Sequence, residues 1–449
     1  MDICRNIAGT FCYEKRQKKT SCHSGVIIMA EIRPFAALRP VPELVSQIAE
    51  LPYDVMSTQE ARDILKKDPL SFVRVSRAEA DLPEGIAESD PRVYAKAREN
   101  LEDYMAKGQM KQDPQPCYYI YRQQMGAYIQ IGLVAAASLK EYKEGIIKRH
   151  ELTRQVKETD RVNHIMATKA QTGPVFLAYR SKGLLTAFLL EYMGSHTPAY
   201  NFVGDDKIRH TLYVISEPLK VKEVTRLFQQ VPELYIADGH HRCAAALRVA
   251  EELAKRPNQT GKEEYNYVLS VIFPSNMLHI LPYNRIVRDL GELSEEKFLE
   301  MVQENFLLEK DDRPVEPQAP HTFGMYISGQ WYRLTAKPDT YPTEDPIHSL
   351  DVSILQDNLL APVLGIDDPR TDPRIDFVGG VRGLSALEDA VDGEDATVAF
   401  SLYPTSMDQL MTVADKGLVM PPKSTWFEPK LRDALTVHMI GDEQDGKNL

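Results

Sequence analysis

The hydrophobic pattern of this chain changes most sharply between residues 234 and 253. Residues 234–237 form an unbroken apolar run, which predicts a buried strand, and residues 240–253 carry apolar side chains at helical spacing. The junction between them contains Asp238, Gly239, His240, His241 and Arg242. Because the first N–H groups of a helix lack partners and attract anions, this junction is a candidate phosphate site. The alternative is that Asp238 merely caps the helix and that the histidines are packing residues.

The same periodicities predict strands and helices mixed along the whole chain. Helices are predicted at 58–66, 91–107, 184–193, 220–230, 293–305, 350–360, 384–391 and 407–414. Strands are predicted at 118–122, 128–136, 174–179, 199–203, 207–215, 265–273, 277–282, 322–327, 331–334, 375–378 and 397–402. Three hairpins are expected within 118–136, 199–215 and 265–282, and an acidic surface loop at 79–90. Because the elements intermix without an internal repeat, the predicted class is α+β with mixed sheets.

The chain is too long for one small core, and its proline content suggests where it divides into domains. A proline-rich stretch at 313–320 is a candidate boundary between a core at 29–312 and a C-terminal α/β region at 321–437. Met29 looks like a natural start, so we expect residues 1–28 to be a poorly ordered extension.

Composition narrows the class of partner. With a net charge of −12, the chain lacks the concentrated positive charge that a non-specific nucleic-acid or anionic-membrane binder needs. No apolar run approaches the roughly 20 residues that span a bilayer. Five cysteines without CxxC spacing argue against a disulfide framework and a structural zinc site, and favour the cytoplasm.

Two further polar clusters lie outside the junction. His150 and Glu151 form half of a zincin motif, but position 154 is arginine where the second histidine must stand, which disfavours a metalloprotease. Shortly after them, Lys157, Asp160, Arg161 and His164 lie at helical spacing. This second cluster is either a solvated charged face or a carboxylate set among cations that hold phosphates.

Two loops are stiffened by proline and carry polar side chains. Pro421 and Pro422 precede Lys423, Ser424 and Thr425, whose ammonium and hydroxyl groups can hold a phosphate or carboxylate. Tyr53 and Asp54 follow Pro52 in a second turn, where a capping aspartate is the alternative. The usual P-loop, dinucleotide-binding and protein-kinase motifs are absent from the sequence, as is the nucleophile elbow of hydrolases.

Taken together, these motifs resemble a known family. The set RPF, PYDV, KRHExT with a following DR, DGHHR and MPPKSTWFEPK resembles the bacterial and archaeal family called domain of unknown function 1015, over essentially residues 32–435. HE followed by DGHHR also resembles the free serine kinases of the ParB/sulfiredoxin superfamily, with Arg149 in place of a proline and Ser424 in place of a threonine. The resemblance implies an α+β fold with a ParB/sulfiredoxin-like core and large insertions.

The same resemblance implies an activity, namely ATP-dependent phosphorylation of free L-serine to O-phospho-L-serine with Mg²⁺. In this scheme Glu151 is the general base and His150 supports the transferring phosphoryl group. Asp238 orients the turn or binds Mg²⁺. The nucleotide phosphates are held by Gly239, His240, His241 and Arg242.

The resemblance also suggests how serine is held. Lys423, Ser424 and Thr425 are candidates for its carboxylate or for a phosphate, and Tyr53 and Asp54 for its amino group. The expected partners are therefore serine and a nucleotide, with neither nucleic acid nor membrane, and a homo-oligomer stays open.

Two other classes remain as alternatives. One is a ParB-like regulator or nucleotidase that binds CTP or ATP, although no helix-turn-helix with a basic face is evident. The other is a sulfiredoxin-like thiol enzyme that uses Cys243, although within a helix this cysteine is expected to be buried and structural.

Overall fold

Two large and three two-stranded β-sheets, with the helices that cover them, make up residues 29–441, the part of the chain that the computed structural model describes. The expectation for residues 1–28 lies outside the described residues. The strands are β1 (Ile32–Arg33), β2 (Leu38–Pro40), β3 (Met110–Gln112), β4 (Tyr118–Met125), β5 (Tyr128–Ser138), β6 (Ile147–Lys148), β7 (Ala170–Gln171), β8 (Val175–Tyr179), β9 (Tyr200–Val203), β10 (Arg209–Ile215), β11 (Leu234–Asp238), β12 (Tyr267–Pro274), β13 (Ile280–Leu281), β14 (Tyr283–Val287), β15 (Phe306–Asp311), β16 (Thr322–Ile327), β17 (Gln330–Ala336), β18 (Ile375–Gly379), β19 (Val398–Leu402), β20 (Trp426–Phe427) and β21 (His438–Met439).

The helices lie between these strands throughout the chain, which gives the predicted α+β class. They are α1 (Val45–Ile48), α2 (Thr58–Lys67), α3 (Val73–Ser76), α4 (Pro91–Ala106), α5 (Leu139–Glu144), α6 (Gln155–Thr168), α7 (Leu184–Ser195), α8 (Pro218–Phe228), α9 (His240–Leu253), α10 (Glu295–Asn305), α11 (Asp351–Leu355), α12 (Ser385–Asp392) and α13 (Met407–Asp415). Across residues 29–441, no helix combines the length and the apolarity that crossing a membrane requires.

The larger sheet has nine strands in the order β6-β11-β8-β12-β5-β4-β10-β9, with β1 added against β5. It is mixed, as predicted, because β6 runs parallel to β11 and β8 parallel to β12, whereas the other pairs are antiparallel. Successive side chains of a strand point to opposite faces. On β5, Val134 and Ala136 therefore enter one hydrophobic core, whereas Leu133 and Ala135 enter another. Both faces of this sheet are buried.

The second large sheet is antiparallel, in the order β15-β17-β16-β19-β14-β18. Its Phe400 belongs to the same hydrophobic cluster as Val134 and Phe176 of the larger sheet, so the two sheets share a core. Two of its strands, β14 and β15, come before the proline-rich stretch at 313–320. The division of the chain at that stretch stays a prediction.

Most predicted elements are present, and the exceptions have physical causes. The expected hairpin of 265–273 with 277–282 is wrong, because β12 already has β5 on one edge and β8 on the other, and β13 pairs with the distant β20. The surface loop at 79–90 is wrong at its start, since Glu79 is buried and lies 2.7 Å from Arg77 Nε.

Candidate functional site

The centre of the site is the junction where β11 ends at Asp238 and α9 begins at His240. Gly239 has a φ of 93°, a left-handed conformation that suits glycine, and a Cβ there would lie only 3.3 Å from the Arg242 guanidinium. Asp238 Oδ1 accepts the Gly239 N–H at 2.7 Å, and no side chain caps α9. Asp238 is therefore not the helix cap, and the first N–H groups of α9 remain available to an anion.

A second segment, His150 and Glu151, lies beside this junction because β6 runs parallel to β11. Glu151 Oε2 is 3.6 Å from His240 Nδ1, and the carboxylate is half exposed. The His150 and His240 rings meet edge to face with centroids 4.6 Å apart. Residues nearly 90 positions apart thus share one space, with a carboxylate at its open side.

The buried histidines His150 and His240 are neutral. Burial lowers the pKa of His150 to about 4, against the opposing effects of Asp238 and of a hydrogen bond to the Ile236 carbonyl. Burial, followed by the proximity of His150, lowers the pKa of His240 well below its usual value. Within the described residues, His150 Nδ1 and His240 Nε2 have no hydrogen-bond partner. They are neutral groups that can donate to or accept from a ligand.

The predicted nucleotide-binding residues His241 and Arg242 point in different directions. His241 is partly exposed, and its Nε2 accepts the backbone N–H of Arg154 at 3.0 Å. Arg242 is buried under the turn, donates from Nη1 to the Pro174 carbonyl, and has Nη2 3.9 Å from Asp54 Oδ2. The Arg242 guanidinium therefore lies beneath the turn, whereas the His241 ring lies at the surface.

Lys430, a largely covered residue that sequence reasoning missed, brings positive charge to the site. Its Nζ lies 3.4 Å from Asp238 Oδ2. Burial alone raises the pKa of Asp238, but Lys430, Arg242 and the Gly239 N–H outweigh burial and hold this pKa below its usual range. The only sequence signal was the position of Lys430 at the end of the FEPK stretch.

The pKa of Glu151 is shifted in the opposite direction from that of Asp238. Burial raises its pKa, Asp238 raises it further, and Lys423 and Arg154 act against both. Two nearby carboxylates with pKa values displaced in opposite directions are a common arrangement for acid–base chemistry. Glu151 is the one whose basicity is increased.

The loop at 420–425 reaches the same site and is held rigidly there. The Met420 N–H donates to the His150 carbonyl at 2.8 Å, and Arg285 Nη2 donates to the Lys423 carbonyl at 3.0 Å. The Ser424 hydroxyl donates to the Pro421 carbonyl at 2.6 Å. Because Ser424 is buried and already bonded, Lys423 and Thr425 are better placed than Ser424 to meet a ligand.

Tyr53 and Asp54 form a single 3₁₀ turn on the side of Arg242. The Arg161 guanidinium stacks on the Tyr53 ring at 3.8 Å and pairs with Asp160 at 2.6 Å. Arg161 is largely covered and His164 is buried, so the solvated-face interpretation of this helix is wrong for both.

Three residues of the site could together hold a metal ion. In residues 29–441, His150, Glu151 and His240 offer ligand atoms within 4.8 Å of one another, two nitrogens and one oxygen, whereas the predicted metal ligand Asp238 is outside this trio.

Cys243 is fully buried in the packing face of α9, and burial raises the pKa of its thiol. A buried thiol of this kind stays protonated and unreactive, which argues against the sulfiredoxin-like alternative.

Three solved structures resemble the chain distantly: a conserved hypothetical protein from Pyrococcus furiosus (14% identity, 69% of this chain and 95% of that one, TM-score 0.33), a free serine kinase in complex with AMP (14%, 68% and 92%, 0.34), and a C-terminally truncated SbnI from Staphylococcus aureus (11%, 70% and 93%, 0.35). No curated protein sequence matches the chain. One family matches residues 32–353, well over half of the length, and the chain belongs to it: the family described as protein of unknown function DUF1015.

Proposed function

We propose that this protein is an ATP-dependent kinase that phosphorylates free L-serine to O-phospho-L-serine. The observation that carries the proposal is the 3.6 Å approach of Glu151 Oε2 to His240 at the uncapped start of α9. A base and a phosphate-attracting helix end thereby face the same space. Phosphoryl transfer depends mainly on positioning and charge stabilisation, and this arrangement offers both.

Glu151 acts as the general base. It accepts the proton of the serine hydroxyl while that oxygen bonds to the terminal phosphorus of ATP and the bond from this phosphorus to the bridging oxygen breaks, which releases ADP. The raised pKa of Glu151 strengthens it as a base near neutral pH. Its half-exposed position leaves room for a substrate hydroxyl.

The nucleotide phosphates bind at the start of α9. The free backbone N–H groups and the neutral imidazoles of His240 and His241 donate hydrogen bonds, and Arg242 adds positive charge from beneath the turn. Lys423, which is exposed, and Lys430, which is largely covered, supply further positive charge. Lys423 and Thr425 also remain candidates for the serine carboxylate.

The residues present fit a Mg²⁺ ion that arrives with the nucleotide. Mg²⁺ prefers oxygen ligands and usually binds one or two carboxylates together with phosphates. The ionised carboxylate of Asp238 is the candidate ligand, whereas the histidine-rich trio suits a softer metal. When bound, Mg²⁺ neutralises charge on the phosphates.

The test is release of ADP from ATP and Mg²⁺ with each amino acid in turn. We expect stimulation by L-serine and its loss in Glu151→Gln, which keeps the shape of the side chain but removes the base. Glu296→Gln, an exposed carboxylate on α10, is the matched control and retains full activity. If serine does not stimulate ADP release by the wild-type protein, the proposal fails.

A further inference from the structure

A small cavity of about 30 Å³ lies beside the Arg242 side chain. Tyr53, Arg161, Gly173, Arg242 and Asp433 are among the residues that line it. About 10–15 Å³ of such space already suffices to hold one water, and an ammonium group is of similar size. The cavity therefore suits one small polar group.

Asp433 presents an unused acceptor to this cavity. The side chain is 2% exposed, and its Oδ1 has no hydrogen-bond partner among residues 29–441. Its backbone is fixed, since the Asp433 N–H donates to the Glu50 carbonyl at 2.8 Å. A buried acceptor without a partner destabilises the fold, so its retention calls for a group that bonds to it.

The backbone at Gly173 leaves room for the Asp433 carboxyl group. A Cβ at Gly173 would lie 2.4 Å from Asp433 Oδ1, so only glycine permits the carboxyl to occupy this position. Arg242 Nε, another lining group, also lacks a partner within the described part of the chain. One unpartnered acceptor and one unpartnered donor thus border the same small space.

Charged groups of both signs surround the cavity. Arg242 and Arg161 are cations, and Asp54 and Asp433 are carboxyl groups, with Asp54 half exposed beside Arg242. Walls of mixed sign fit a ligand that carries both an ammonium and a carboxylate group, whereas a simple anion would meet two carboxyl groups.

We propose that this cavity receives the α-ammonium group of the substrate, which donates to Asp433 Oδ1. The inference rests on the proposed function and specifies its substrate class: a small α-amino acid, selected over hydroxy acids without an ammonium group.

Titration of Asp433 gives an independent sign of this contact. Burial raises its pKa to about 8; Asp54 and Glu50 add to this, and Arg242 and Arg161 oppose it. Tyr53 and His164 also line the cavity, and His164 is neutral because burial lowers its pKa to about 4. An arriving ammonium favours the carboxylate, so Asp433 releases its proton on binding at pH 7.

The experiment is calorimetry of L-serine and of 3-hydroxypropionate, which lacks only the ammonium group, without ATP and in two buffers of different ionisation heat. We expect the wild-type protein to bind serine at least tenfold more tightly than 3-hydroxypropionate and to release close to one proton per serine at pH 7. In Asp433→Asn the preference and the proton release both disappear, and affinity for ADP is unchanged. Asp312→Asn, an exposed control, behaves as wild type.

The outcomes separate this inference from the proposed function. Serine phosphorylation with an unaltered preference in Asp433→Asn overturns the inference alone. Serine binding that depends on Asp433, without ADP release, overturns the kinase proposal alone. The proton count needs only the wild-type protein, so if the Asn variant does not fold, serine binding without proton release still refutes the ammonium contact.

Discussion

Replacing Lys430 with methionine removes the cation beside Asp238 while keeping most of the side-chain volume. At 3.4 Å and an effective dielectric constant of about 20, Coulomb's law gives roughly 5 kcal/mol for the pair. Asp238 keeps 33% of its side chain exposed, so solvent screening reduces this figure. We expect Lys430→Met to lose about 2 kcal/mol of unfolding free energy at pH 7, because a mostly buried carboxylate is left without its nearest cation.

The pH dependence of this loss follows from the pKa of Asp238. That pKa is lower in the folded protein than in the unfolded chain, so the pair stabilises the fold above about pH 4 and its contribution is lost as the pH falls through the folded-state value. The difference between Lys430→Met and wild type should therefore be complete at pH 7 and shrink below pH ~4.

The assay is urea unfolding at several pH values, with Lys182→Met, at an exposed lysine, as the matched control. We expect the control to stay within about 0.5 kcal/mol of wild type. The reasoning is refuted if Lys430→Met has the wild-type unfolding midpoint at pH 7, or if its deficit persists unchanged in acid.

Three further predictions concern the junction and its base. Glu151→Gln should lower kcat by about 10²–10⁴-fold with little change in nucleotide Kd, and wild-type activity should decline in acid as Glu151 is protonated, at a pH above that of an ordinary glutamate; a pH-independent wild-type rate between pH 4 and 7 would contradict this. Gly239→Ala should destabilise the fold by roughly 1–2 kcal/mol, because φ is 93° there, and thermal or urea unfolding measures it. Cys243→Ala should retain turnover, and loss of turnover in a folded variant would instead support thiol chemistry.

Local structure was predictable from the sequence because it depends on neighbours in the chain. The apolar run of β11 and the helical spacing of α9 placed the junction to within a residue, and Asp238 and Gly239 marked the turn. Glycine in the left-handed region and an uncapped helix start are likewise local properties. The sequence alone therefore determined where the strand-to-helix junction lies and most of the element boundaries.

Tertiary structure decided which distant residues meet and in what charge state. The parallel pairing of β6 with β11 brings Glu151 to His240, and β13 pairs with β20 because both edges of β12 are occupied. Burial makes the histidines neutral, so the cation beside Asp238 is Lys430 from the far end of the chain. Burial and long-range pairing depend on the whole fold, and no local pattern of residues encodes them.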